Sequence, residues 1–361
     1  MTDAGEIRGK NALSSCENER TTHNRWIPRA HRVHALGGVN VMRHATVLKP
    51  ELLGIKVKPV SRSKLAVGVV SYLNTKPLIF GLQSLAPNLR VQVAPPSELA
   101  RRLREKRLDV ALVSVSEYFS RPDYGLIPES AICGDGYVRS VLLFSRVPIE
   151  QARTICLDPE SLTSNALIKV LCRWHFSIEP TWAMRSRRSD PAVVLEKGKN
   201  EAVLVIGNAA LRMSGRFPYE YDLGQEWWRL TGLPFVFAVW VVRPGTEVGD
   251  LPAVLRQSLQ LGLAHLDRIA DEAARALRLD PGLCLNYLRA MIRYELTERT
   301  WQGMARFFEM CSILGICPPC PPPALARWLN RDNDHLAEPR ITGRMPVLPN
   351  KERIQPRARR H

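Results

Sequence analysis

The sequence of 361 residues lacks several features that would have indicated a function directly. No apolar run reaches the ~18 consecutive residues that a membrane-spanning helix needs, and the first residues contain no apolar core typical of a secretory signal. A Walker loop, a Gly-x-Gly-x-x-Gly turn and a His-Glu-x-x-His pair are also missing. These absences predict a cytoplasmic protein without a membrane partner, and give no support to nucleotide-dependent or zinc-dependent chemistry.

Histidine is scarce in the central part of the chain, and cysteine is scattered. Of eight histidines, only His175 and His265 lie between residues 64 and 330, and we expect His175 to interact with the end of a helix rather than to catalyse. The eight cysteines indicate reduced thiols in a cytoplasm. Cys317 and Cys320 precede three prolines, which predicts a structural loop; a zinc site would need a fourth ligand besides these two and Cys311.

Positive charge is concentrated at the two ends of the chain. The formal charge of +16 comes from 51 Lys and Arg against 35 Asp and Glu. Residues 1–63 contain 11 basic and 5 acidic side chains, and residues 331–361 contain 8 and 4. We predict a disordered basic extension over residues 1–63 and a Pro/Arg-rich tail over residues 317–361, with no nucleic-acid partner. A nucleic-acid-binding arm is the alternative, and it would show salt-dependent retention that is lost when both ends are removed.

From residue 64 the sequence alternates between short apolar runs and helical patterns. Residues 65–71, 89–93 and 109–113 are predicted strands, and helices are predicted to begin near residues 74–77 and at Ser97. This β-α-β-α-β order favours a mostly parallel sheet with helices on its faces.

The alternation begins again after a predicted long strand over residues 138–147. We predict an α/β protein of two lobes, with residues 64–147 forming the first and residues 148–242 the second. Helices within residues 243–316 would complete the first lobe. The second alternation consists of predicted strands at 154–157, 202–206 and 235–242 and a helix beginning at Ser161. A cleft between two such lobes could enclose a small ligand.

Hydroxyl and amide side chains occur repeatedly where predicted strands end and helices begin. Such groups, with the free backbone N–H groups of helix starts, suit a carboxylate or phosphate ligand. Each of them could instead be a helix cap or a turn residue, but several together favour a binding site. The candidates are Ser71, Asn74, Thr75, Ser114, Ser116, Ser161, Thr163 and Ser164.

Several of these residues lie in stretches that resemble one enzyme family. Residues 71–78 (Ser-Tyr-Leu-Asn-Thr-Lys-Pro-Leu) resemble the opening motif of chorismate dehydratases, from the futalosine route to menaquinone. The likeness runs from about residue 65 to about residue 315. Within it, further stretches match the family in order: residues 109–118, 138–145, 161–164, 205–211, 222–224 and 231–238.

The resemblance implies a fold, a reaction and a set of site residues. The fold would be a two-lobe, type II periplasmic-binding-protein-like flytrap with a helical C-terminal portion. The reaction would convert chorismate to 3-[(1-carboxyvinyl)oxy]benzoate and water, without a metal or organic cofactor. Asn74 and Ser140 match the family's active-site Asn and Ser. The other expected substrate-binding residues are Ser71, Thr75, Ser114, Ser161, Thr163, Ser164 and Asn208.

The matched side chains are poor bases near pH 7, which favours a substrate-assisted mechanism. The resemblance suggests the substrate's enolpyruvyl carboxylate as the base. Two residues depart from the family pattern: Asn208 stands where Asp is expected, and Leu162 stands where Arg is common. Both changes remove a charge, and both could alter affinity or closure of the cleft.

Two other functions are compatible with the same fold. One is a non-catalytic solute-binding or sensor protein for a small carboxylate, since a fold does not decide function. The other is the related enzyme that makes 1,4-dihydroxy-6-naphthoate, but its opening motif of the Ser-Pro-Cys-Pro-Asn-Asp kind differs from residues 71–74. A chorismate dehydratase could also make a transient contact with the next enzyme of its pathway.

Overall fold

A computed structural model describes residues 65–331 of the chain. The extension predicted for residues 1–63 lies outside the described residues, as do residues 332–361 of the predicted tail. The part of the tail that is described contains a helix, Pro323–Arg331, which the proline-rich sequence did not predict. Proline is tolerated at the first position of a helix, and here Pro323 begins it.

Lobe 1 is built on a five-stranded sheet with the order β2-β1-β3-β10-β4. Strands β1, β2 and β3 are parallel, whereas β10 runs antiparallel to both β3 and β4. The apolar runs of β1, β3 and β10 form the buried centre of the lobe. The strands are β1 (Ala66–Val69), β2 (Arg90–Val93), β3 (Val110–Ser114), β4 (Gly125–Gly134) and β10 (Phe235–Val242).

Lobe 2 repeats this plan with the order β7-β6-β8-β5-β9. Its strands β6, β7 and β8 are parallel, and β5 runs antiparallel to both β8 and β9. The strands are β5 (Val141–Ser145), β6 (Thr154–Leu157), β7 (Thr181–Met184), β8 (Ala202–Ile206) and β9 (Tyr219–Asp222).

The strand assignments correct two of the predicted lobe boundaries. The strand at 141–145 lies in the sheet of lobe 2, and the strand at 235–242 lies in the sheet of lobe 1. Both strands are apolar throughout, so their sequences show that they are buried but not in which sheet. Since each is antiparallel to its neighbours, both sheets are mixed rather than mostly parallel.

Twelve α-helices lie within the described residues. The predicted strand over 138–147 is shorter than expected, and the helix that begins at Pro281 ends at Asn286, where a π-helical turn over 287–291 follows. The helices are α1 (Leu82–Leu85), α2 (Pro96–Arg104), α3 (Val115–Phe119), α4 (Leu162–Trp174), α5 (Pro191–Lys197), α6 (Gly207–Met213), α7 (Leu223–Thr231), α8 (Leu251–Ala264), α9 (Leu266–Leu277), α10 (Pro281–Asn286), α11 (Glu298–Ile313) and α12 (Pro323–Arg331).

The helices after β10 pack on lobe 1 and support the segment that follows β1. That segment, Leu73–Ile79, is a 3₁₀-helix, and helix α8 lies against it. The buried Ser258 of α8 donates its hydroxyl hydrogen to the carbonyls of Leu78 and Phe80, at 2.9 and 3.1 Å. This contact fixes the backbone next to Asn74. Within the described residues, no helix is both long and apolar enough to cross a membrane.

Candidate functional site

A cleft lies between the lobes, and residues of both lobes line it. Its empty volume is about 610 Å³, counting the space at its mouth. Apolar side chains form most of the wall, and a small set of polar side chains faces the interior, as is typical of small-molecule sites. Lobe 1 supplies Val70, Tyr72, Asn74, Pro96, Leu112, Ser114, Ile132, Phe237, Ala238 and Ile292; the connection and lobe 2 supply Ser140, Val141, Ser161, Thr163, Ser164, Ile206 and Gly207.

Asn74 reaches the cleft from the 3₁₀-helix after β1. Its side chain is buried, and the Oδ1 atom has no hydrogen-bond partner among the described residues. A buried amide oxygen without a partner costs the folded chain about 1–3 kcal/mol. Asn74 lines the cleft, so its amide is a candidate hydrogen-bonding group for a ligand.

Ser140 stands at the end of the connection between β4 and β5. The buried Asp222 carboxylate, which caps helix α7, accepts the backbone N–H groups of Val138 and Arg139 and so fixes the approach to Ser140. Burial raises the pKa of Asp222 to about 7, although its backbone N–H donors act in the opposite direction. Arg139 has φ of 57°, a strained conformation for a non-glycine residue that the surroundings must hold in place.

The Ser140 hydroxyl has a partner that the sequence did not reveal. The phenol of Tyr287 donates a hydrogen bond of 2.9 Å to Ser140 Oγ. Tyr287 is buried and opens the π-helical turn after α10, so this bond joins the C-terminal helices to the connection between the lobes.

The start of helix α4 contributes three buried hydroxyls from lobe 2. Ser161 caps the helix by accepting the Ser164 backbone N–H at 3.1 Å, and its hydroxyl donates to Ser164 Oγ at 2.8 Å. Thr163 Oγ1 accepts the backbone N–H of Ser116 in lobe 1 at 3.1 Å. Opposite them Ser114 caps the short helix α3. A helix start with hydroxyls around it suits a carboxylate.

Three residues predicted to bind substrate do not line the cleft. Ser71 is exposed, because the chain turns after β1 and directs the neighbouring Tyr72 into the wall. Thr75 is completely buried, and its hydroxyl has no partner among the described residues. Asn208 points to the other lobe, where its Oδ1 accepts the Leu73 N–H at 3.0 Å. These three residues are not among those that line the cleft, and their role in substrate binding stays a prediction.

The two departures from the family pattern have different surroundings. Asn208 joins the lobes through an acceptor oxygen, which an Asp side chain would also supply. Leu162, the first residue of α4, leaves 44% of its surface exposed beside the cleft-lining Ser161.

Further contacts join the lobes around the cleft. The Tyr72 ring lies against Gly207, where an added Cβ would come within 2.8 Å of the ring. Burial raises the pKa of Tyr72, with nearby Asp158 and Glu160 acting in the same direction, so its phenol stays neutral. Beside the cleft-lining Pro96, the Ser97 hydroxyl donates to Glu160 at 2.6 Å, and Arg187 donates to Ser97 at 2.9 Å.

Histidine and cysteine lie away from this cleft in the described residues. The His175 ring pairs with the Glu226 carboxylate at 2.8 Å, and His265 stacks on Phe80. Cys317 and Cys320 are free thiols, the first half-buried and the second exposed. Among residues 65–331, no group of three or more His, Cys, Asp and Glu side chains is arranged to hold a metal ion.

The sequence analysis missed Tyr72, Asp222 and Tyr287 as parts of this site. Tyr72 and Asp222 lie inside stretches that carried the resemblance, so the motifs contained a signal. Tyr287 lies in a plain helical pattern, and only the folded chain brings it to Ser140, 147 residues away.

The lobes, sheets and cleft together define a two-lobe α/β protein of the periplasmic-binding-protein type. A protein of Candida albicans that exhibits the generic periplasmic binding protein structural fold matches with a TM-score of 0.52 and 11% identity. The match covers 74% of this chain and 95% of that one, and it shows the fold alone.

The sequence comparisons place the chain more narrowly. Residues 65–312 match the model of a family described as menaquinone biosynthesis, and the chain belongs to that family. It is 31% identical to a chorismate dehydratase of Thermus thermophilus over 266 residues, which covers 68% of this chain and 95% of the relative. A chorismate dehydratase of Campylobacter jejuni is 26% identical over 256 residues, covering 69% of this chain and 98% of the relative.

Proposed function

We propose that this protein is a chorismate dehydratase, which converts chorismate to 3-[(1-carboxyvinyl)oxy]benzoate and water. The family and the two relatives support this function. The observation that carries it is the cleft, where Asn74 of lobe 1 meets Ser140 and the start of α4. These are the groups that the sequence analysis assigned to the reaction and to carboxylate binding.

The start of helix α4 would hold a substrate carboxylate. The partial positive charge of a 13-residue helix and the hydroxyls of Ser161, Thr163 and Ser164 are directed at one region of the cleft. No Lys or Arg is among the described cleft-lining residues, so hydrogen bonds and the helix dipole would bind the anion. Ser140 would donate to a carboxylate, and the Asn74 amide would orient the departing ring hydroxyl by hydrogen bonding.

The elimination needs a base to remove a ring proton next to that hydroxyl. The described cleft-lining residues include no Asp, Glu, His or Lys, and the raised pKa of Tyr72 keeps its phenol neutral. The enolpyruvyl carboxylate of chorismate is then the base, as the family resemblance suggests. It takes the ring proton, the C–O bond to the hydroxyl breaks as the ring becomes aromatic, and the proton passes on to the departing hydroxide, which leaves as water. The protein would fix the conformation of the substrate and exclude water.

We infer that the reaction takes place in the cytoplasm. The seven cysteines among the described residues are free thiols, which supports a reducing compartment.

A chorismate assay tests the function. The purified chain is expected to consume chorismate and to form one equivalent of the aromatic product, followed by absorbance and identified by mass. Asn74→Ala should lower kcat/KM by about 100-fold or more, because it removes an oriented polar group from the reacting centre. Ser71→Ala is the matched control, since Ser71 precedes Tyr72 but is exposed, and its activity should stay within about twofold of the wild type.

The alternative is a solute-binding or sensor protein, and the same assay separates it. A chain that binds chorismate in calorimetry but leaves it unchanged would contradict the proposed reaction and favour the binding protein. An Asn74→Ala variant with wild-type turnover would contradict the role of Asn74 alone.

A further inference from the structure

Tyr287 lies behind the cleft and has few polar neighbours. It is 1% exposed and is not among the cleft-lining residues, so it does not touch a ligand directly. Its hydroxyl donates a hydrogen bond of 2.9 Å to Ser140 Oγ, its one side-chain hydrogen bond among the described residues. This buried phenol therefore holds one of the two side chains assigned to the reacting centre.

The hydroxyl hydrogens of Tyr287 and Ser140 can each be assigned to an acceptor or left free. A phenol has one hydrogen to donate, and Tyr287 gives it to Ser140 Oγ. The Ser140 hydroxyl hydrogen has no acceptor among the described residues and is free to point into the cleft.

We propose that Tyr287 is a positioning residue that directs the hydroxyl hydrogen of Ser140 into the cleft, toward the substrate. The inference rests on the proposed function and adds to it a residue outside the cleft. Without the hydrogen from Tyr287, the Ser140 hydroxyl is free to turn a lone pair toward a substrate carboxylate.

The position of Tyr287 is suited to this role. Burial raises the pKa of its phenol far above neutrality, so the O–H remains a donor at every pH at which the protein is assayed. The π-helical turn that begins with Tyr287 is a rare local conformation, and such turns are frequent at functional sites.

Tyr287→Phe is the direct test, because it removes the oxygen and keeps the ring. We expect kcat to fall by about 10- to 100-fold, because Ser140 loses the hydrogen bond that orients its hydroxyl, with a smaller change in KM. Tyr294→Phe is the matched control. Tyr294 is also a buried tyrosine of lobe 1, its hydroxyl has no partner within residues 65–331, and its removal should leave kcat within about twofold.

A double-mutant cycle with Ser140→Ala distinguishes positioning from a general structural effect. If Tyr287 acts through Ser140, Tyr287→Phe should lower kcat by less than about twofold further in the Ser140→Ala protein. Equal losses of kcat in both backgrounds, or a Tyr287→Phe protein with wild-type kcat, would overturn the inference while the wild type still turns over chorismate. A wild type that neither turns over nor binds chorismate would overturn the proposed function, and this inference with it.

Discussion

The two lobes share one sheet plan, but the walls that they contribute to the cleft differ in chemistry. In each sheet, three parallel strands lie beside an antiparallel strand, and a fifth strand forms the edge. The wall of lobe 1 carries the Asn74 amide, whose oxygen has no partner among the described residues. The hydroxyls of Ser161 and Thr163 in lobe 2 already form hydrogen bonds within the protein. One fold plan thus presents a cleft-lining amide in lobe 1 and, opposite it, a preorganised helix start in lobe 2.

This difference suggests that lobe 1 acts mainly on the reacting hydroxyl, and that lobe 2 binds the anion and closes the cleft. The variants below test that division, from the largest expected effect to the smallest.

Gly207→Val should have the largest effect, because it prevents the lobes from meeting. Gly207 has φ of 63°, and an added Cβ would come within 2.8 Å of the Tyr72 ring. We expect kcat/KM to fall by at least about 30-fold, since a misplacement of about 1 Å already costs about 100-fold in a well-aligned site.

The control for this variant is Gly215→Val, which has φ of 83° but nothing within 4 Å of its added Cβ. It carries the same kind of backbone strain without the contact, and its steady-state kinetics should stay near those of the wild type. Equal losses of kcat/KM in both variants would mean that strain, rather than the contact between the lobes, explains the effect.

Variants of Asn208 test whether its hydrogen bond with the Leu73 N–H needs only an acceptor oxygen or also a negative charge. Asn208→Leu leaves the Leu73 N–H without its partner, which costs the closed form about 1–3 kcal/mol and should raise KM about tenfold. Asn208→Asp keeps an acceptor oxygen, so we expect KM to change by less than about threefold. A large change in KM for Asn208→Asp would show that the missing charge matters at this position.

Ser161→Ala tests the helix start of lobe 2 and should have the smallest effect. The variant loses the cap of α4, worth about 1 kcal/mol, which corresponds to a decrease in Tm of about 2–4 °C. KM should rise more than kcat falls, since this wall is assigned to binding. Asp190→Ala removes a comparable cap from α5, away from the cleft, and should lower Tm without changing KM. A fall in kcat alone for Ser161→Ala would contradict the division between the lobes.

The sequence predicted the elements that are continuous apolar runs, such as β3 and β8, because such runs identify buried strands by themselves. It missed β4, which contains Pro128 and pairs with β10 through register shifts. The predicted lobe boundaries were wrong at β5 and β10, because the sheet that a strand joins depends on partner strands distant in sequence.

In the site too, some features follow from local sequence, whereas others depend on contacts between distant parts of the chain. Asn74, Ser140 and the start of α4 follow from motifs and from helix-start chemistry, and the structure brings them to one cleft. Ser71 and Asn208 belong to the same motifs but point elsewhere, because side-chain direction depends on the local turn and on the opposite lobe. Tyr287 could not be predicted, since its contact with Ser140 exists only after the chain has folded.

Strand β5 belongs to the sheet of lobe 2, and the later strand β10 belongs to the sheet of lobe 1. This arrangement determines which lobe can complete its sheet first during synthesis. The five strands of lobe 2 occupy one continuous stretch, from Val141 to Asp222. Lobe 1 begins earlier in the chain, but β4 pairs with no strand other than β10 in the described sheet, and β10 ends at Val242. As the chain leaves the ribosome, the second lobe can therefore assemble its sheet while β4 of the first still has an unpaired edge, and such an edge is open to pairing with other chains.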